Sequence, residues 1–272
     1  MDITRSQKKP RIFIAPLRNF APSGIKKLAE NYQRYRQVNK TATLFGQHFS
    51  PVVANTDALK EEVFRLRYGV YCKEMKTEKA NPSEIERDAY DDYAQHCLMR
   101  HNDSGLFAGT VRVITPQCEE QLLPMEMHCK DGLTHDMLAP ANYPRQQIGE
   151  ISRLAVPKVF RRRMFTNVTD HPYLGCDQEA HSACAMVSVG LYFAAAALTV
   201  QAGVKHAYVM MEPRLAKSMG QVGVRFEQIG PLMEYHGQRA PYYINQARLE
   251  AKIKPGLGRM YKMLLERIGE QV

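Results

Sequence analysis

Short runs of apolar residues alternate with helical periodicities along most of this 272-residue chain. Phe49 to Ala54 predicts a strand, Asp57 to about Tyr71 a helix, and a polar loop follows to Arg87. The runs Ala94 to Arg100 and Leu106 to Thr115 flank Asn102-Asp103-Ser104-Gly105, turn chemistry that predicts a hairpin. Pro116 to Gln146 contains Pro124, Pro140 and Pro144 and is too long for an idle connection, so it is expected to cover or shape a site. A strand at Ile148 to Val156, a second loop and a long apolar helix from Ser182 to Ala202 come next. Then follow a strand at Lys205 to Met211, a short helix at Arg214 to Met219, and strands near Arg225 to Ile229 and Leu232 to His236. Two helices, Asn245 to Lys254 and Leu257 to Ile268, separated by Pro255-Gly256, close the chain. This order predicts an α/β domain with a mixed sheet over residues 49–244, an extension over 1–48 and a helical tail over 245–272.

Ala183 to Val204 carries no charge and is long enough to span a bilayer. Its alanines are interrupted by Ser188, Gly190, Thr199 and Gln201, and it runs directly into a strand, which predicts a buried core helix instead. The six cysteines include no C-x-x-C pair, which fits reduced thiols in a cytoplasmic chain. The apolar run Ile12 to Leu17 is short and holds Pro16, so no signal peptide is expected. With 44% apolar and 24% charged residues, the composition is that of an ordinary globular protein and excludes a disordered or repeat chain.

Charge is placed unevenly. Residues 1–40 hold ten basic residues against Asp2 and Glu30, so nearly all of the net +9 lies there. Ser23 followed by Ile25, Leu28, Tyr32 and Tyr35, interleaved with Lys26, Lys27, Arg34 and Arg36, predicts a basic amphipathic helix. Such a helix suits an acidic protein, a peripheral contact with anionic membrane through residues 1–40, or a solvated face on its own domain. The near-neutral remainder argues against a nucleic-acid groove across the fold.

Four clusters carry candidate chemistry. Arg67 to Tyr71 closes the first helix. Glu86, Asp88, Asp91 and Asp92 crowd one short segment, and carboxylates this close repel unless cations or N–H groups answer them. Glu150-Ile151-Ser152-Arg153 puts an acid and a base on a strand among apolar residues, costly unless paired or functional. Residues three apart on a regular strand face opposite sides, so Glu150 and Arg153 serve one cleft only if a bulge falls between them. The fourth cluster is Tyr235-His236-Gly237-Gln238-Arg239-Ala240-Pro241-Tyr242.

In this order the clusters resemble the autoinducer-synthase branch of the GNAT-fold acyltransferases, the acyl-homoserine-lactone synthases and N-acyl amino acid synthases. That branch carries R-x-x-x-[FY], E-x-D-x-x-D, a hairpin Arg and E-x-[ST]-R. Here those are Arg67 with Tyr71, Glu86 with Asp88 and Asp91, Arg112, and Glu150 with Arg153. The PEP-CTERM/exosortase-associated acyltransferases share further features: Val70-Tyr71-Cys72-x-Glu74, Phe160-Arg161-Arg162-Arg163, Met211-Glu212-Pro213, and the closing motif with Arg239 and Tyr242. The resemblance covers roughly residues 50–245.

The resemblance implies a GNAT-like mixed β-sheet whose fourth and fifth strands splay apart around an acyl-pantetheine arm, flanked by helices. It implies an enzyme that acylates an amine by direct aminolysis of a thioester, with no permanently bound cofactor. Glu150 is the expected base, with Arg153 and Asp91 beside it as catalytic candidates. Arg67, Tyr71, Glu86, Asp88, Arg112, Arg239 and Tyr242 are expected to bind substrate. Backbone N–H groups of the splayed strand would hold the oxyanion. Arg153 and Arg112 either pair with the acidic cluster, or one of them holds the carboxylate of an amino-acid acceptor. Coenzyme A users place a Gly-rich loop after strand four for the diphosphate. Here Arg161, Arg162 and Arg163 occupy that place without a glycine, so acyl carrier protein is expected as donor and partner ahead of coenzyme A. The proton for the leaving thiol has Tyr208, Tyr235 and Tyr242 as candidate sources.

Rival readings are a lactone synthase using S-adenosylmethionine, disfavoured by Thr77 where that motif carries tryptophan, and a non-catalytic scaffold that binds a carrier protein, lipid or membrane. His171, Cys176, His181 and Cys184 match no common zinc spacing, so no metal is expected.

Overall fold

β1 (Phe49–Val53) buries alternate residues, and Thr56 then starts α1 (Asp57–Tyr68), its hydroxyl accepting the Leu59 N–H at 3.3 Å. Helical winding does not end at Tyr68. Gly69–Glu74 continue in a wider turn, with the Met75 N–H on the Val70 carbonyl at 2.8 Å, which carries Tyr71 past the helix end towards the sheet. In this computed structural model the described residues are 43–129, 132–161, 183–184, 186–221, 223–235 and 237–272. The basic arm to residue 42, Arg162, Arg163, His171, Cys176, His181 and His236 therefore lie outside them.

The remaining elements are β2 (Ala94–His101), β3 (Phe107–Ile114), α2 (Pro124–His128), β4 (Ile148–Ala155), α3 (Val187–Gln201), β5 (His206–Met211) and α4 (Pro213–Gln221). They are followed by β6 (Glu227–Gln228), β7 (Met233–Glu234), β8 (Gln238–Ile244), α5 (Gln246–Lys252) and α6 (Pro255–Gly269). The sheet runs β1-β2-β3-β4-β5-β8-β6, with β7 pairing β8 off this path. β4 and β5 are parallel and every other pair is antiparallel. Their pairing starts at Ile148 with His206 and stops at Glu150 with Tyr208, although β4 continues to Ala155 and β5 to Met211. The splayed mixed sheet expected from the sequence is thus present, and its opening begins at Glu150.

The uncharged stretch forms a core helix, as expected. α3 lies between the sheet and α6, with the Phe193 and Tyr261 rings 5.8 Å apart. A Cβ on Gly190 would stand 2.4 Å from Phe45, so glycine is what lets that aromatic sit against the helix. Among the described residues no helix is long and apolar enough to cross a membrane.

Two expectations change. Gln238–Ile244 read as a motif, yet it is a seven-residue strand between β5 and β6. Pro241 within it argues against a central strand because proline donates no ladder bond. The Pro241 carbonyl accepts the Ile229 N–H, so its missing N–H faces the side where β6 has already ended at Gln228, and no bond to β5 is lost. The C-terminal tail is also less separate than its composition suggests. Leu257, Met260, Tyr261, Leu264 and Ile268 are buried in the main core, and the Gln271 side chain accepts the Val53 N–H at 2.9 Å, covering the edge of β1.

Candidate active site

The site grows from one irregularity in β4. Thr110 to Arg112 on β3 opposes Ala155 to Ser152 on β4, so β4 holds one extra residue there. Arg153 takes it up with φ +48°, a left-handed conformation uncommon for a side-chain-bearing residue. This is the bulge that lets Glu150 and Arg153 share one side. Both line a cleft of about 390 Å³ in the splay, with Tyr71, Met75, Thr77, Glu78, Tyr192, Met210 and Arg239 among the other lining residues.

Glu150 is 2% exposed. Its carboxylate accepts the Met125 N–H at 2.8 Å. Burial pushes its pKa up to about 7, against the opposing pull of that N–H and of Arg112. The N–H comes from the long proline-containing segment, which therefore does shape the site. Arg145 holds α2 in place by a two-pronged pair with Glu126 at 2.9 Å for both oxygens, and Glu126 also accepts the Leu123 N–H at 2.7 Å. No pattern in the sequence marks this pair.

Beneath the cleft, three arginines and four carboxylates interlock. Arg67 pairs with Glu86 and, at 2.7 Å, with Asp91. Arg112 reaches Asp88 at 2.5 Å, Asp91 at 2.8 Å and the Ser152 hydroxyl at 3.0 Å. Arg153 closes the network on Glu86 at 3.1 Å, Asp88 at 3.2 Å and Glu78 at 3.4 Å. Burial disfavours the charge on Asp91, but Arg67 and Arg112 outweigh it and hold the carboxyl well below the usual range. Burial likewise opposes the charge on Arg153, and Glu86 and Asp88 outweigh it, raising its pKa.

This geometry bears on several of the expected roles. The Asp91 side chain is fully shielded between Arg67 and Arg112. Arg67, Glu86 and Arg112 are buried and do not line the cleft; they belong to the network beneath it that also holds Arg153. Asp88 belongs to the same network. Arg153 and Arg112 both pair with the acidic cluster, the first of the two alternatives open in the sequence. Tyr242 packs in the main core, with its hydroxyl 3.5 Å from Gln228, away from the cleft. Tyr208 donates to the Leu138 carbonyl at 2.9 Å, which leaves Tyr235, within reach of Arg153, as the remaining tyrosine of the three near the site.

Tyr71 and Arg239 do line the cleft. The Tyr71 hydroxyl donates to the Leu154 carbonyl at 2.9 Å, and the Arg153 guanidinium lies 5.7 Å from its ring centre. Glu78, read as part of a polar loop, lines the cleft and pairs with Arg153; only its charge near the cluster signalled it. Arg161, six residues beyond β4, pairs with Glu74, whose carboxylate also accepts the Lys158 N–H at 3.0 Å.

On β5, Met210 opposes Pro241 on β8. The Pro241 carbonyl is turned to β6, so by strand alternation the Met210 N–H and carbonyl point away from β8, into the gap that β4 has left. The cleft thus combines a buried carboxyl poised near neutral pH, an unlatched strand backbone and a cationic wall.

Residues 66–169 match the model of an acetyltransferase (GNAT) domain. Solved structures of the same fold include the acyl-homoserine-lactone (AHL) synthase LasI, 18% identical over 76% of this chain and 96% of that one, TM-score 0.50. FeeM, an N-acyl amino acid synthase from uncultured soil microbes, is 12% identical over 77% and 97%, TM-score 0.52. BjaI, a CoA-dependent acyl-homoserine lactone synthase solved with SAM and isopentyl-CoA, is 17% identical over 78% and 89%, TM-score 0.50. No curated protein matches the chain by sequence. The fold is that of the GNAT enzymes, and the chain is an acyltransferase, the enzyme class that the resemblance implied.

Proposed function

We propose that the protein transfers a fatty acyl group from the thioester of acyl carrier protein to the amine of a small acceptor, by direct aminolysis, in the manner of an N-acyl amino acid synthase. The observation that carries this reading is the end of β4–β5 pairing at Glu150, which puts a carboxyl of pKa about 7 at the apex of the cleft. An acyl-pantetheine arm lies between the splayed strands, and Met210 N–H faces the carbonyl where negative charge develops. Glu150 takes one ammonium proton, directly or through a water, the neutral nitrogen attacks the thioester carbon, the C–S bond breaks, and the second proton shed by the nitrogen passes to the departing sulfur, which leaves as the thiol. Arg153, fixed by Glu78, Glu86 and Asp88, shapes the wall opposite. No covalent enzyme intermediate is formed.

Glu74 supports a carrier-protein donor over coenzyme A. Its carboxylate already occupies the Lys158 N–H beyond β4 and pairs with Arg161, so a diphosphate at this position would meet a like charge. A carrier protein brings one phosphodiester and an acidic surface, which Arg161, Arg162, Arg163 and the basic residues 1–40 complement. The PEP-CTERM/exosortase-associated likeness belongs with this reading. A lactone synthase would instead consume S-adenosylmethionine.

The test is expression in a bacterium followed by mass spectrometry of lipid extracts. New N-acyl amines, absent with Glu150→Gln, are expected. Acyl lactones in their place would favour the rival enzyme, and no product with either donor in vitro would remove the acyltransfer reading.

A further inference from the structure

A second group of chemically capable side chains lies at the β1 edge of the sheet. His48 directly precedes β1, His101 ends β2, and Asp103 sits in the turn to β3. None of the three lines the cleft. The His48 Nδ1 is 3.4 Å from Asp103 Oδ2, and the His101 Nε2 is 3.8 Å from the same oxygen. All three atoms lie within 4.8 Å of one another. Two imidazoles and a carboxylate form a donor set for a divalent transition ion, whereas magnesium and calcium take oxygens.

The surrounding chain fixes this arrangement. The Asn102 N–H donates to the His48 carbonyl at 2.8 Å and its side-chain amide to the Gln47 carbonyl at 2.6 Å, which ties the segment before β1 to the hairpin turn. His101 is fully buried, its ring 5.2 Å from that of Phe49 and 5.9 Å from that of Phe160. Its Nδ1 meets the Ser104 hydroxyl at 2.8 Å. With the proton on Nδ1, that bond orients the ring as it does in metal-binding histidines, and the lone pair of Nε2 faces a carboxylate, a repulsion that a cation between them removes. Zinc bonds of about 2.0 Å in a tetrahedron set ligand atoms about 3.3 Å apart. The His48 to Asp103 separation already matches. The wider separations close by rotating Asp103, which is exposed, and His48, which is half-buried, against a fixed His101.

We infer that His48, His101 and Asp103 form a binding site for a divalent transition ion of the zinc class, with water completing the tetrahedron on the exposed side. The ion fastens the residue before β1 to the β2–β3 hairpin, a structural clamp that acts independently of the acyl-transfer cleft. Sequence spacing does not mark it, since His48 and Asp103 stand 55 residues apart.

The experiment uses the full chain without a polyhistidine tag, stripped with a chelator and then titrated with zinc chloride against a chromogenic zinc indicator, with thermal unfolding followed in parallel. Wild type should bind zinc and gain roughly 5 °C or more in its unfolding midpoint when zinc stands a hundredfold above Kd. Asp103→Asn and His48→Gln spare the buried His101. Each should weaken zinc binding tenfold or more and lose the midpoint gain, while the zinc-free midpoints stay within about 2 °C of wild type, because an exposed pair contributes little. A wild-type midpoint that zinc does not move would overturn the assignment whatever the variants do. So would equally tight binding in wild type and both variants, which would put the ion on other ligands such as His171 and Cys176.

Discussion

Glu150 and Arg153 stand three residues apart on one strand and yet line one cleft, because Arg153 absorbs an extra residue at φ +48°. The strained position is kept by what the side chain reaches, carboxylates on three separate residues. The carboxyl of Glu150 therefore faces the cleft, while Arg153 is tied to the network below it.

That network predicts an asymmetric response to truncation. Arg67→Ala leaves Glu86 to Arg153 alone and Asp91 to Arg112 alone, and should cost about 3 kcal/mol in chemical denaturation, because removing one buried cation leaves its carboxylates only partly compensated. A loss below about 1 kcal/mol would mean that the cluster is not holding the site. Because the Asp91 pKa is lower in the folded chain than in the unfolded one, its contribution is complete above the unfolded carboxylate range. It should be lost as pH falls below about 4.

Glu150 should leave the opposite signature. Its folded pKa of about 7 lies above the unfolded value, so the folded chain keeps a proton that the unfolded chain has released. Stability should decline as pH rises from about 4.5 to 7 and level off above that, by on the order of 3 kcal/mol. Glu150→Gln should flatten this part of the curve, which denaturation midpoints across the window measure directly.

The Arg145–Glu126 pair holds the Met125 N–H against Glu150, and that bond lowers the carboxyl pKa. Arg145→Ala should release α2 and move the acidic limb of the rate profile to higher pH, with Arg145→Lys restoring part of the shift. An unmoved limb in a folded, slower variant would assign the pair a merely structural role.

Donor choice has its own test at Glu74. Glu74→Gln should improve acyl-CoA as donor relative to acyl carrier protein, seen as a rise in the ratio of the two kcat/KM values. An unchanged ratio would remove the like-charge argument.

Local patterns foretold most strands, the hairpin and the core helix, because period-2 runs and turn residues are short-range signals; the splay was expected only through the family resemblance. Glu150 with Arg153 was also legible, since charges on a buried strand are costly without a purpose. β8 was not, because Pro241 is acceptable only where its neighbour β6 has ended, a fact of the sheet and not of the segment. Asp91 was expected beside the base and Arg67 and Arg112 on the substrate, because the motif gives residue type without depth. Glu78, Glu126 and Arg145 reach the site across long stretches of chain, and nothing in their local sequence announces the partners they find.

The central claim is that Glu150 deprotonates the attacking amine in the β4–β5 gap. Its most direct test is the pH dependence of kcat/KM for thioester aminolysis by wild type and Glu150→Gln, with thermal unfolding showing both folded. A rate that rises through an apparent pKa near 7 in wild type, and in the variant falls roughly 100-fold or more and loses that limb, is the predicted result. Equal rates with the same limb in both proteins would contradict it.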